Sequence, residues 1–140
     1  MLILEPVLHF SFSDVKGKDV LDDSGKGNNG VLSGQVTMEQ LSPACGLGLR
    51  FQNGALTVNS AKLSSLVKKE MSVVTWVKIE TLSQTNIIYA CAGGGVAQRL
   101  EVNAKQGTSN GYIRWLYALE GGGGNVFNVQ TDAVIIPGTD

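Results

Sequence analysis

The chain has 140 residues, 43% of them hydrophobic and 16% charged, with eleven basic side chains against twelve acidic ones and a net charge of −1. That length suits one domain able to bury its own core, and the balanced charge excludes both the electrostatic footprint of a nucleic-acid binder and the basic run that would address anionic lipid. No window approaches the 18 or so apolar residues of a membrane helix, and the opening "MLILEPVL" is too short and too poor in positive charge for a signal peptide, so the bare chain reads as cytosolic.

Apolar and polar residues alternate with a period of two along most of the sequence, the pattern of half-buried strands. In "VLHFSF", Leu8, Phe10 and Phe12 fall on one side and Val7, His9 and Ser11 on the other. The polar stretch "DDSGKGNNG" follows at 22–30, and strands are then expected in "GVLSGQVTM", "GLGLRF" and "GALTVNS". "SAKLSSLVKKE" spaces Leu63, Leu66 and Val67 for a turn or two of helix. "MSVVTWVKIE" sets Met71, Val73, Val77 and Ile79 on one side and Val74 and Trp76 on the other. Apolar on both faces, it predicts a central sandwich strand.

"NIIYACA" is a further strand that stops at Gly93-Gly94-Gly95. "QRLEVNA" and "YIRWLYALE" are joined by the hairpin loop "KQGTSNG", and "GGGGN" leads into "VFNVQT". Ile113, Trp115, Tyr117 and Leu119 make one stripe, with Tyr112, Arg114 and Leu116 opposite. About eight short strands separated by turn signals predict an all-β antiparallel two-sheet sandwich or jelly roll, in a single domain over residues 1–140.

Chemistry-bearing residues are sparse. His9 is the sole histidine and reads as a solvent-facing strand residue. "CAGGGVAQ" lacks the Gly-Lys-Ser/Thr of a phosphate loop, so its glycines read as turn geometry. Glu80, Glu101 and Glu120 are each single and each expected at or near a strand end, which leaves no carboxylate pair for glycoside hydrolysis. No catalytic residue is assigned, and the chain is expected not to be an enzyme.

The loop "DDSGKGNNG" carries two readings. Asp22, Asp23, Asn28 and Asn29 offer the hard oxygen ligands calcium prefers, although no EF-hand glutamate follows. As a fold device, the first reading, Asp22 or Asp23 and Ser24 would bond backbone amides while Gly25, Gly27 and Gly30 take positive φ. Cys45 and Cys91 permit one bridge, worth roughly 4 kcal/mol for a loop of that length, or two buried free thiols.

In order, "LHFSF", "DDSGKGNNGVL", "CGLGLRFQNGALTV" and "MSVVTWVKI" resemble the laminin-G-like members of the concanavalin A-like lectin/glucanase superfamily. The matching positions are Asp23, Ser24, Gly25, Asn29 and Gly30 in the loop, Gly46, Leu49, Phe51 and Gly54 in the next strand, and Met71, Ser72, Val73, Trp76 and Val77 in the third motif. The likeness is good over 7–80 and looser beyond.

The resemblance implies a jelly roll and a non-catalytic recognition or adhesion module, extracellular or at the cell surface, that binds a glycan or a protein within a larger multidomain chain. It favours a Cys45–Cys91 disulfide. It makes Tyr112, Trp115 and Tyr117 candidate ligand-binding residues, since sugars stack on aromatic rings, and it puts Phe10, Phe51 and Trp76 in a shared interior. The family's later Trp-x-His-Val strand and Asp-Gly hairpin do not follow, so the chain is expected to be an N-terminal portion lacking C-terminal strands, with exposed edges. Where the related pentraxins place an Asp-Asn pair for calcium, this chain has Val96, Ala97 and Gln98. The glucanase acid cluster is likewise absent. The competing functions are a structural spacer without ligand and a glycoside-active enzyme.

Overall fold

The computed structural model describes residues 5–42, 46–59, 63, 72–93, 96–104, 111–119 and 127–131. Among them the regular structure is all-β: β1 (Val15–Lys16), β2 (Asp19–Val20), β3 (Gly30–Ser42), β4 (Gly46–Thr57), β5 (Asn86–Gly93), β6 (Val96–Ala104), β7 (Gly111–Leu119) and β8 (Phe127–Gln130). They form two four-stranded antiparallel sheets, β1-β2-β3-β4 and β5-β6-β7-β8, each an up-and-down meander of consecutive strands. The chain divides into two compact units, Met1–Ser60 and Ala61–Asp140. One sheet belongs to each.

In the first unit β3 and β4 pair from Val31↔Thr57 to Ser42↔Gly46. "GLGLRF" and "GALTVNS" are therefore parts of one strand rather than two, kinked where the register slips. Gly34 faces Gly54 and Gln35 faces Gln52, which leaves Asn53 as an extra residue with a left-handed φ of 59°. That is a β-bulge. Gly34, itself at φ 70°, lies so close to the Asn53 carbonyl that a Cβ there would collide with it. The core of this unit centres on Val20 and Leu32, each contributing about 1.5–3 kcal/mol by burial.

Two expected strands do not form. Residues 7–12 join no ladder. Phe12 takes a left-handed φ of 61°, which ends extended geometry, and its ring stacks on Phe10 at 6.3 Å between centroids. "SVVTWVKIE" at 72–80 also enters no ladder, and Val74 and Trp76 are 80% and 89% exposed. Two apolar faces state what a segment can bury, but a strand also needs a neighbour, and neither four-stranded sheet takes this one as a fifth. Phe51, expected inside, is 45% exposed. Of the possible helix at 60–70 only Leu63 is among the described residues, and it is helical.

In the second unit β6 and β7 are the inner strands and form a hairpin in register from Val96↔Leu119 to Ala104↔Gly111. Val102, fully buried, sits opposite Ile113. Leu100 lies between Tyr89 of β5 and Trp115 of β7. Strand alternation then sends Arg99, Glu101 and Asn103 to the opposite face of the sheet.

Candidate functional site

Among the described residues each unit holds a polar cluster. In the first, the Asp22 carboxylate accepts four hydrogen bonds. Oδ1 takes them from the backbone N–H of His9 (3.0 Å) and Ser24 (3.0 Å), and Oδ2 from Ser24 Oγ (2.8 Å) and the Asn28 N–H (2.8 Å). A carboxylate has about four lone-pair sites, so Asp22 is saturated. Asp23 Oδ2 accepts from the N–H (2.9 Å) and Oγ (2.7 Å) of Ser11, and the Asp23 N–H donates to the His9 carbonyl. Asn29 Oδ1 accepts from the Asp22 N–H, while Asn28 Nδ2 donates to the Val7 carbonyl. Side chains of the loop thus satisfy the backbone of residues 7–11 where a strand ladder was expected.

Gly25 and Gly27 take the positive φ expected of them; Gly30 instead lies against Leu56 and Phe10, too close for a side chain. Burial pushes the Asp22 carboxyl up, but the hydrogen bonds from His9, Ser24 and Asn28 outweigh it and hold it below the usual carboxylate range. Asp23 is held low by its bonds from Ser11. For calcium the fit is poor. The oxygens of Asp22 face N–H and O–H donors, and a cation would have to displace them. No group of three or more His, Cys, Asp or Glu placed to hold a metal occurs among the described residues.

The second cluster was not foreseen. Glu101 is not at a strand end. It stands in the middle of β6, directly opposite Arg114 of β7, with its side chain closed to solvent. Arg114 reaches Oε1 with Nε at 2.6 Å and also with Nη2, and Asn103 Nδ2 donates to the same oxygen at 2.7 Å. Thr85 Oγ1 donates in turn to Asn103 Oδ1 (2.8 Å), which fixes the amide's orientation. Arg99 Nε lies 2.5 Å from Oε2, a close charge contact outside hydrogen-bonding angles. Burial pushes the Glu101 carboxyl up, yet the Asn103 and Arg114 hydrogen bonds and the two guanidinium charges prevail and keep it ionised. The arginines themselves are open, with side chains 41% (Arg99) and 26% (Arg114) exposed.

Neither a model of a known protein family, nor a curated protein, nor a solved structure matches the chain.

The three aromatic candidates do not form one platform. Trp115 stacks on Tyr89 at 6.3 Å on the Leu100 face. Tyr112, opposite Asn103 and two residues from Arg114, is half-buried on the arginine face. Tyr117 pairs with Gln98 in register, and its side chain lies outside the described residues. Beside Tyr89, Cys91 is a half-buried free thiol, and burial together with a hydrogen bond to Cys91 raises the Tyr89 phenol. Cys45 lies outside the described residues. A signal for the Glu101 cluster was present: Arg99, Glu101 and Asn103 alternate on one strand, and Arg114 lies on the next strand of the expected hairpin. Finding it required the register, which the loop alone leaves open.

Proposed function

We propose that the chain is a non-catalytic recognition module that binds a glycan or a protein, built as a laminin-G-like jelly roll and working outside the cell or at its surface. One observation carries this reading. The inner strands of the second sheet present two partly exposed arginines, while the acid that holds them is closed to solvent. Such an arrangement displays cationic donors outward on a rigid support, the form of a recognition surface. A Cys45–Cys91 bridge, formed by oxidation of the Cys91 thiol that is free in this structure, belongs to the same proposal.

A glycoside-active enzyme fits less well. Its acid must be reachable and able to hold a proton, whereas Glu101 is shut away and held ionised. A spacer without ligand is favoured by the saturated Asp22 network, which serves the fold alone. Screening the intact chain on a glycan array and against purified extracellular matrix proteins separates the two. Reproducible binding that weakens when Arg99 and Arg114 are replaced supports recognition; silence across both screens supports the spacer. Intact mass with and without reductant checks the compartment: two reactive thiols in protein refolded under oxidising conditions would count against an extracellular bridge.

A further inference from the structure

We infer that Arg99 and Arg114, with Tyr112 next to Arg114 on the same face, form a site for a sugar that carries a carboxylate. This deepens the recognition reading and rests on it. The charge balance comes first. Two guanidinium groups share one carboxylate, and that carboxylate is buried while both arginines reach solvent. Seen from outside, the cluster is cationic.

Donor geometry is the second point. Arg99 meets Glu101 through Nε, and no hydrogen bond from its two terminal nitrogens occurs among the described residues. Arg114 spends Nε and Nη2 on Glu101 Oε1, which leaves Nη1. The open end of a guanidinium is a planar fork that matches the two oxygens of a carboxylate. Because Glu101 already anchors both side chains from beneath, a ligand has less rotamer freedom to freeze.

The face also discriminates between ligands. β6 and β7 are inner strands whose backbone groups are engaged in ladders on both sides, so an extended acidic peptide cannot dock there by adding a strand. Tyr112, on the same face two residues before Arg114, supplies a ring with an apolar body and a polar tip against which a pyranose can lie.

The test is titration of the intact chain, followed by calorimetry and by amide chemical shifts, with a matched pair of probes: methyl galactoside and methyl galacturonide, which differ only by the C6 carboxylate. Binding of the galacturonide and not of the galactoside is expected, with affinity falling as salt rises. R99Q should weaken binding by roughly tenfold or more, the loss of a charge-assisted hydrogen-bond pair, while the chain stays folded, with a lower melting temperature from the loss of the charge beside Glu101 Oε2. R99K, which keeps the charge and loses the fork, should recover only part of it. Shifts from the galacturonide that persist in both R99Q and R114Q, or no response to it at all, would overturn the site. An acidic peptide binding as tightly as the galacturonide would overturn the sugar assignment. Array binding to neutral glycans, indifferent to R99Q, would sink this inference and leave the recognition reading standing, as would an empty array with a positive matrix-protein screen; silence in both screens would remove both.

Discussion

Glu101 and Arg114 face one another across β6 and β7, and the carboxylate placed there is fully buried although its arginine is not. Removing the charge while keeping the shape tests what that pairing is worth. Glu101→Gln retains a carbonyl to accept from Asn103 but leaves Arg99 and Arg114 side by side without a counter-ion. The expected cost is about 1–3 kcal/mol, read as a lower urea midpoint at unchanged slope. Combining it with Arg99→Gln should recover part of the loss, because the repulsion goes with the second charge. A double-mutant cycle with zero coupling would show that the arginine contributes nothing to the pair.

Acid should unfold the chain through three identified carboxyls. Asp22, Asp23 and Glu101 each have a folded pKa below the ordinary value. A group of that kind stabilises fully above its unfolded pKa, near 4. As pH falls through that value the unfolded chain takes up protons first, and the contribution is lost down to the folded pKa. Melting temperatures should therefore be flat with respect to these groups above about pH 5 and decline below it. On the alkaline side, the raised Tyr89 phenol predicts a second decline once pH passes about 10, where the unfolded tyrosine ionises and the folded one does not. A melting curve unchanged from neutrality to well below the carboxylate range would show that these hydrogen bonds do not favour the folded state.

Loss of the Asp22 carboxylate should be costly out of proportion to its size. Asp22→Ala leaves the N–H groups of His9, Ser24 and Asn28 without their acceptor in one step. The expected loss is about 1–3 kcal/mol or more, accompanied by faster hydrogen exchange at those three amides. Calcium titrated into the parent protein should give no heat, since Asp22 has no lone pair to offer. Heat that disappears in the variant would instead make the loop a cation site.

Strand alternation makes most of the second sheet legible in the sequence. "NIIYACA", "QRLEVNA", "YIRWLYALE" and "VFNVQT" correspond to β5 through β8, and the split of Tyr112 and Arg114 from Ile113 and Trp115 follows the observed faces. The first sheet was partly legible. Its bulge at Asn53 merged two expected strands into one, and its two-residue strands β1 and β2 are too short to show a period. What alternation could not give was partnership. Residues 7–12 and 72–80 have strand patterns and no ladder, because pairing is decided by the neighbour and not by the segment. The same gap hid the candidate site: Glu101 looks solitary along the chain, and its partner Arg114 arrives only with the hairpin register.

The segment around Trp76 offers the plainest spectroscopic check on the fold. Trp76 is 89% exposed, whereas Trp115, the other tryptophan, is half-buried against Tyr89. Acrylamide should quench the two indoles unequally. In Trp76→Phe the readily quenched component should vanish and the remaining emission move to shorter wavelength. Stability should change little, within about 0.5 kcal/mol, as for a surface position away from caps, cores and networks. Trp115→Phe should do the reverse, leaving the accessible emission and costing stability through the smaller ring set against Tyr89. A protected Trp76 in the parent protein would mean that another segment or a second chain covers 72–80 in solution. Repeating the quenching across a dilution series then separates the two, since only cover by a second chain is lost on dilution.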